Sequence, residues 1–195
     1  MLSYNESLKI LKETDALLEG HFVLSSGLHS DQYVQCAKLL SHPKKAEIIC
    51  NSLSYKIKKK FKNIDMILSP AVGGIVVGYE VGRQLGIETI FAERLEGKLT
   101  LRRGFKIEKN SNVLIVEDVI TTGKSALECA ELIKRNNSNL LGYSCIIDRS
   151  SKECLIKEEF ISQLKIEIKT FKKNSLPDHL KKIKPIKPGS RNLLR

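Results

Sequence analysis

Apolar positions in the first sixty residues recur with helical spacing in two stretches. From Asn5 to Leu18, the side chains of Leu8, Leu11, Leu17 and Leu18 fall near one face and Gly20 supplies a stop, so the pattern predicts a first helix. A second helix is expected after Ser41, with Pro43 in its first turn, where a missing amide hydrogen leaves no helical bond unmade. Ala46, Ile49, Cys50, Leu53 and Ile57 then share one side, and Lys56, Lys58, Lys59 and Lys60 suit the negative end of the helix dipole. Further on, the rhythm changes. Ile64 to Leu68 is a short apolar run, followed by the turn Ser69 to Gly74 and a helical stretch that ends at Gly86. Ile87 to Ala92 reads as a strand, Glu93 to Lys109 as a charged segment, and Val113 to Val116 as a buried strand. Ala126, Cys129, Ala130 and Ile133 then recur at i, i+3, i+4 and i+7, and Leu140 to Ile147 forms one more strand.

Strands that alternate with helices imply crossover connections, hence an α/β fold whose central, mostly parallel sheet is flanked by helices. Ligands in such folds sit at the C-terminal ends of the strands. Leu164 to Phe171 alternates apolar and polar residues with period two, which predicts a half-exposed sheet in a small cap.

Composition narrows the class. A chain of 195 residues with 42% hydrophobic content can bury one sizeable core. No stretch approaches the roughly 18 to 20 apolar residues of a membrane span, and the first residues lack a basic start followed by an apolar block, so a cytoplasmic protein is expected. Cys36, Cys50, Cys129, Cys145 and Cys154 are odd in number and scattered, which indicates neither a disulfide framework nor a zinc site. His21, His29 and His42 show no metal-ligand spacing. The net charge of +11 raises the question of a polyanionic partner. Residues 151 to 195 hold 12 Lys or Arg against 5 Asp or Glu, so the excess lies in the tail; without interleaved aromatics it reads as solvated lysines rather than a nucleic-acid surface.

The chemistry concentrates in Val113 to Ser125, where a buried strand delivers Glu117 and Asp118 and, after Val119 and Ile120, the run Thr121, Thr122, Gly123, Lys124, Ser125 opens a helix. Unpaired amide hydrogens at a helix N-terminus, at the positive end of its dipole, make that run a phosphate cradle. Adjacent carboxylates repel phosphate, so they suit hydroxyls or a developing positive charge, both of which a ribose offers. A Walker loop is the rival because Gly123, Lys124 and Ser125 match its end, but Asp118 stands where its first glycine must be.

At this point the chain resembles the type I phosphoribosyltransferases: the apolar run, paired acids and Thr-Thr-Gly are similar to their phosphoribosyl diphosphate motif. The resemblance extends to the orotate-using branch through Gly20 to Gln35, Ser69 to Ile75, Ile147 to Ser150 and the ending Pro188 to Arg191. It implies a single domain over 1–195, with a hood built from the N-terminal segment and the C-terminal region. It implies transfer of the phosphoribosyl group from phosphoribosyl diphosphate to orotate, giving orotidine 5′-monophosphate and diphosphate, a step toward UMP. Ala71, Val72, Gly73 and Gly74 would bind the departing diphosphate, and Arg149 with Thr121 the orotate. Mg²⁺ would be held mainly by substrate and water. Arg94 and Lys98 would lie in a mobile loop, residues 94–104, that covers the site of the neighbouring subunit in a homodimer, with Lys98, Glu117 and Asp118 as the catalytic residues. The chain departs from many relatives at Ser25, Leu95 and Thr100, where Lys, Lys and His are common, and Lys98, Arg102 and Arg103 are expected to compensate. The rivals are a purine acceptor on the same fold, or a non-catalytic regulator that binds the same sugar diphosphate.

Overall fold

The computed structural model describes residues 1–24 and 26–188. In chain order the elements are α1 (Tyr4–Glu13), β1 (Leu17–Val23), β2 (His29–Val34), α2 (Cys36–Leu40), α3 (Pro43–Lys60), β3 (Met66–Pro70) and α4 (Gly73–Leu85). Then come β4 (Glu88–Leu95), β5 (Lys98–Leu101), β6 (Asn112–Ile120), α5 (Lys124–Arg135), β7 (Asn139–Asp148), β8 (Ile161–Lys165), β9 (Thr170–Phe171) and α6 (Asp178–Lys181).

Six strands form the main sheet in the order β5-β4-β3-β6-β7-β8, and only the β4–β5 pairing is antiparallel. The chain runs outward from β3 to β4 on one side, then returns to β6 on the other. The crevice beyond the C-terminal ends of β3 and β6 is therefore the point where strand order reverses. Apolar side chains of β6 divide between the two faces. Leu114 and Val116 join the core beneath α1, α3 and α4, whereas Val113 and Ile115 join the core beneath α5. Helix α4 can settle close to the sheet because Gly74, Gly78 and Gly82 form a seam. A Cβ on Gly78 would collide with Ser69 Oγ, and one on Gly82 with Thr89 Oγ1.

The first helix is shorter than its leucines suggest. Ser3 and Glu6 form a capping box that fixes its start, Thr14 caps its end, and Asp15 turns the chain at φ 54°. Leu17 and Leu18 instead open β1, where they pair with Val34 and Tyr33, and Gly20 lies inside that strand rather than stopping a helix. Two nearby apolar pairs at helical spacing thus belong to different elements. The short α2 has no counterpart in the sequence pattern. The period-two stretch also divides. Ile161–Lys165 is the edge strand β8 of the main sheet, with Leu164 buried in its core, while only Thr170–Phe171 joins β1 and β2 in a separate sheet of three strands.

That small sheet is fastened by distant residues. His21 Nε2 lies 2.6 Å from His29 Nδ1, and His21 Nδ1 lies 2.8 Å from the carbonyl oxygen of Ile183. The amides of Val23 and Ile186 donate to Ile186 O and His21 O, each at 2.8 Å.

Candidate functional site

Strand β3 ends at the reversal point, and its loop leads straight into a helix. The Ala71 amide is tied to Ala92 O at 2.8 Å, the Ala71–Val72 peptide is cis, and Gly73 begins α4. Val72 projects into solvent at 81% exposure. The amides at the start of α4 thus open toward the crevice, at the positive end of a 13-residue helix.

Strand β6 runs on past Val116 to Ile120, so both acids lie within it. Successive strand residues face opposite sides. Asp118 follows Leu114 and Val116 toward α4, so closely that a Cβ on Gly73 would collide with its carboxylate. Glu117 follows Val113 and Ile115 toward α5, where its charge helps to push up the thiol of Cys129. Burial, and secondarily the charge of Asp118, raises the Glu117 carboxyl to about 8. Burial raises Asp118 too, opposed by backbone amide hydrogen bonds. The ligand-free crevice therefore favours protons on carboxyl groups, and a cationic or hydroxyl-rich occupant would draw them off.

After Ile120 the chain exposes Thr121 and Thr122, turns at Gly123 with φ 74°, and starts α5 at Lys124 and Ser125. The Lys124 amide donates to Thr122 Oγ1 at 3.4 Å. Gly123 is buried under Ile156 and Cys154, which the sequence reading did not single out. The α4 seam was equally missed, although glycines spaced by four on a helix are a legible signal.

Arg149 follows β7, and its own amide donates to Ile120 O at 2.8 Å, which ties it to the end of β6. Its Nε is buried and has no hydrogen-bond partner among the described residues. Burial holds the guanidinium below its ordinary pKa, while Tyr33 of β2 acts in the opposite direction. Asp148 does not pair with it: that carboxylate takes the Ser150 amide at 2.7 Å and Lys165 Nζ at 3.6 Å. A cleft of about 540 Å³ opens here, lined by Arg149, Ser150, Lys152, Lys165 and Ile168 among others. A guanidinium with a buried, unpartnered Nε at a cleft wall has the chemistry to pair with a planar anion.

The charged segment is ordered as a hairpin. Glu96 and Gly97, both at positive φ, turn β4 into β5, and Leu99 is buried. Arg94 Nη1 donates to Glu128 Oε2 at 2.9 Å and also to Gly97 O; Arg103 pairs with Glu93 at 2.9 Å. Lys98 and Arg102 are exposed. This conformation therefore gathers Asp118 with the Ala71 to Gly74 loop, while Arg94 is engaged by an acid of its own chain. Ser25, Gly189, Ser190 and Arg191 lie outside the described residues, so the departure at position 25 and most of the C-terminal resemblance have no structural counterpart here. Among the described residues, no helix is long and apolar enough to cross a membrane.

A sheet reversal flanked by two glycine-bearing helix starts, with acids between them, defines a class. Residues 37–182 match the phosphoribosyl transferase domain, and the chain belongs to that family. Over 185 residues it is 44% identical to an orotate phosphoribosyltransferase of Chlorobium phaeobacteroides, a match that covers 94% of each chain. Over 184 residues it is 45% identical to one of Caldicellulosiruptor bescii, covering 94% of this chain and 96% of the relative. The crystal structure of orotate phosphoribosyltransferase from Aeropyrum pernix superposes with a TM-score of 0.70 over 81% of this chain and 92% of that one, at 22% identity, a likeness of fold.

Proposed function

We propose that this chain transfers the phosphoribosyl group of phosphoribosyl diphosphate to orotate. In that reaction the bond from C1′ to the diphosphate oxygen breaks with its electron pair leaving on diphosphate, and N1 of orotate, giving up its proton to solvent or the departing diphosphate, supplies the pair that forms the new bond. The amides of Thr121 to Ser125 hold the 5′-phosphate, and Ala71 to Gly74 with the α4 N-terminus take the diphosphate. Asp118, beside the Ala71 to Gly74 loop, faces the ribose, and Glu117, on the α5 side of the same strand, adds to the field that favours positive charge as it develops at C1′. Arg149, with Thr121, holds orotate through its carboxylate. Positioning and fixed charge carry the rate, so no proton-shuttling histidine is required.

The carrying observation is the contact of Gly73 with Asp118, which puts the diphosphate loop and an acid of the β6 motif at one point of the crevice. Among the described residues, no three His, Cys, Asp or Glu side chains converge on a metal position. Asp118 beside a phosphate-binding loop instead fits a hard ion that arrives on the diphosphate and keeps much of its water. Magnesium so bound would neutralise charge on the leaving oxygens.

A homodimer, with residues 94–104 reaching the neighbouring subunit, remains part of this reading. It draws support from an exposed stripe on α4, where Val76 is 47% and Tyr79 65% accessible beside Val72. The decisive assay is diphosphate release from phosphoribosyl diphosphate and Mg²⁺ with orotate, adenine, hypoxanthine or uracil. Release with orotate alone is expected; release with a purine and not orotate would overturn the acceptor, and no release with any base would overturn the activity.

A further inference from the structure

The segment after Arg149 doubles back onto the phosphate loop. The Cys154 amide closes a turn onto Ser151 O at 3.0 Å, and the Leu155 amide then donates to Thr122 O at 2.9 Å. Side chains alternate along it: Cys154 and Ile156 are buried at 7% and 6% exposure, while Leu155 is 51% exposed. The two buried ones close over Gly123. A Cβ at Gly123 would stand 2.7 and 2.9 Å from Ile156 Cγ1 and Cδ1, and 3.5 Å from Cys154 Sγ.

This contact has a directional consequence. In a trans peptide the carbonyl oxygen and the following amide hydrogen point to opposite sides. Anchoring Thr122 O to Leu155 therefore turns the Gly123 amide away from the strap. A carbonyl engaged by the Leu155 amide is not free to turn its partial negative charge toward a phosphate in the loop. Ile156 fills the space directly over the Gly123 Cα and so packs against the turn that carries this peptide.

We propose that Ile156, acting with the Leu155 amide, is a positioning residue that holds the Thr121 to Ser125 loop in its phosphate-accepting form. The inference rests on the reading of that loop as the 5′-phosphate site. Its test compares wild type, Ile156→Ala and Ile156→Val in steady-state kinetics, with each substrate varied in turn. Melting temperatures with and without ribose 5-phosphate are measured alongside. Ile156→Ala is expected to raise KM for phosphoribosyl diphosphate roughly tenfold, because small misplacements of positioning groups are amplified. KM for orotate should rise less, because Arg149 is anchored through its own amide to Ile120 O and only Thr121 belongs to both sites. The stabilisation by ribose 5-phosphate should shrink in parallel, and Ile156→Val, which keeps the Cγ atoms over Gly123, should restore both.

A folded Ile156→Ala protein with a lower melting temperature but unchanged KM and ribose 5-phosphate response would mean that Ile156 only packs, and the proposal would fall. Should Ile156→Ala fail to fold, Leu155→Pro, which removes the amide that holds Thr122 O, carries the test, and a ribose 5-phosphate response equal to that of wild type would overturn it. Wild type that binds ribose 5-phosphate in an Ile156-dependent way yet does not use orotate would sink the acceptor assignment and leave this inference standing.

Discussion

Two segments flank the same crevice and are held in opposite ways. The Thr121 to Ser125 loop is set by packing: its glycine lies beneath Ile156, and its Thr122 carbonyl is bonded to Leu155. The β4–β5 hairpin packs Leu99 into the core, but its charged side chains are held to their own chain by ion pairs at the surface. Arg94 and Arg103 meet Glu128 and Glu93 with arginine side chains 41% and 60% exposed. Exposed pairs of this kind contribute about 0–1 kcal/mol each, so on the proposed reading they can be exchanged for a diphosphate partner at little loss. The first segment is shaped before any ligand arrives; the second can be redeployed when one does.

Gly123→Ala attacks the packed side of this contrast and should have the largest effect. The new methyl meets Ile156 at a backbone angle that L side chains avoid, and kcat/KM for phosphoribosyl diphosphate should fall roughly 100-fold or more. Near-normal kinetics would show the loop to be as loosely held as the hairpin. Lys98→Ala probes the other side. Turnover should drop roughly tenfold or more through loss of a cation at the leaving group, while the melting temperature stays put because the side chain is exposed. Unchanged turnover would remove the hairpin from the mechanism.

The smallest effect sharpens the comparison through pH. Glu117 is raised from the usual 4.5 to about 8 in the fold, so the folded state holds its proton more tightly than the unfolded chain does. Its contribution to stability is complete below about pH 4.5 and is lost as pH rises through about 8. Ligand-free Glu117→Gln should therefore lose less stability than wild type between pH 5 and pH 8 in denaturant titrations. Equal losses would place the Glu117 carboxyl in ordinary solvent.

Much of the central sheet was legible because its signals are local. The apolar block before Glu117, the helical spacing of Ala126 to Ile133 and the proline at the start of α3 each report on their own neighbourhood. The family resemblance rested on the same stretches, and the match over residues 37–182 bears it out. What escaped depends on distant partners. Leu17 and Leu18 look helical until Tyr33 and Val34 are available to pair with them. Nothing near Gly123 announces that Ile156 will cover it. That Asp148 leaves Arg149 unpaired depends on Lys165, a strand away. The opposed directions of Glu117 and Asp118 were within reach, since period two applies once β6 is extended to Ile120.

The fastening of the small sheet bears on how the protein comes to be made. His21 and Ile183, bonded in the fold, stand 162 positions apart. A ribosome therefore releases β1 and β2 first but cannot supply β9 or Ile186 until strands β3 to β8 of the main sheet have been made. Until then that hairpin has an open edge, and closing it must await the slow, long-range search that distant contacts impose.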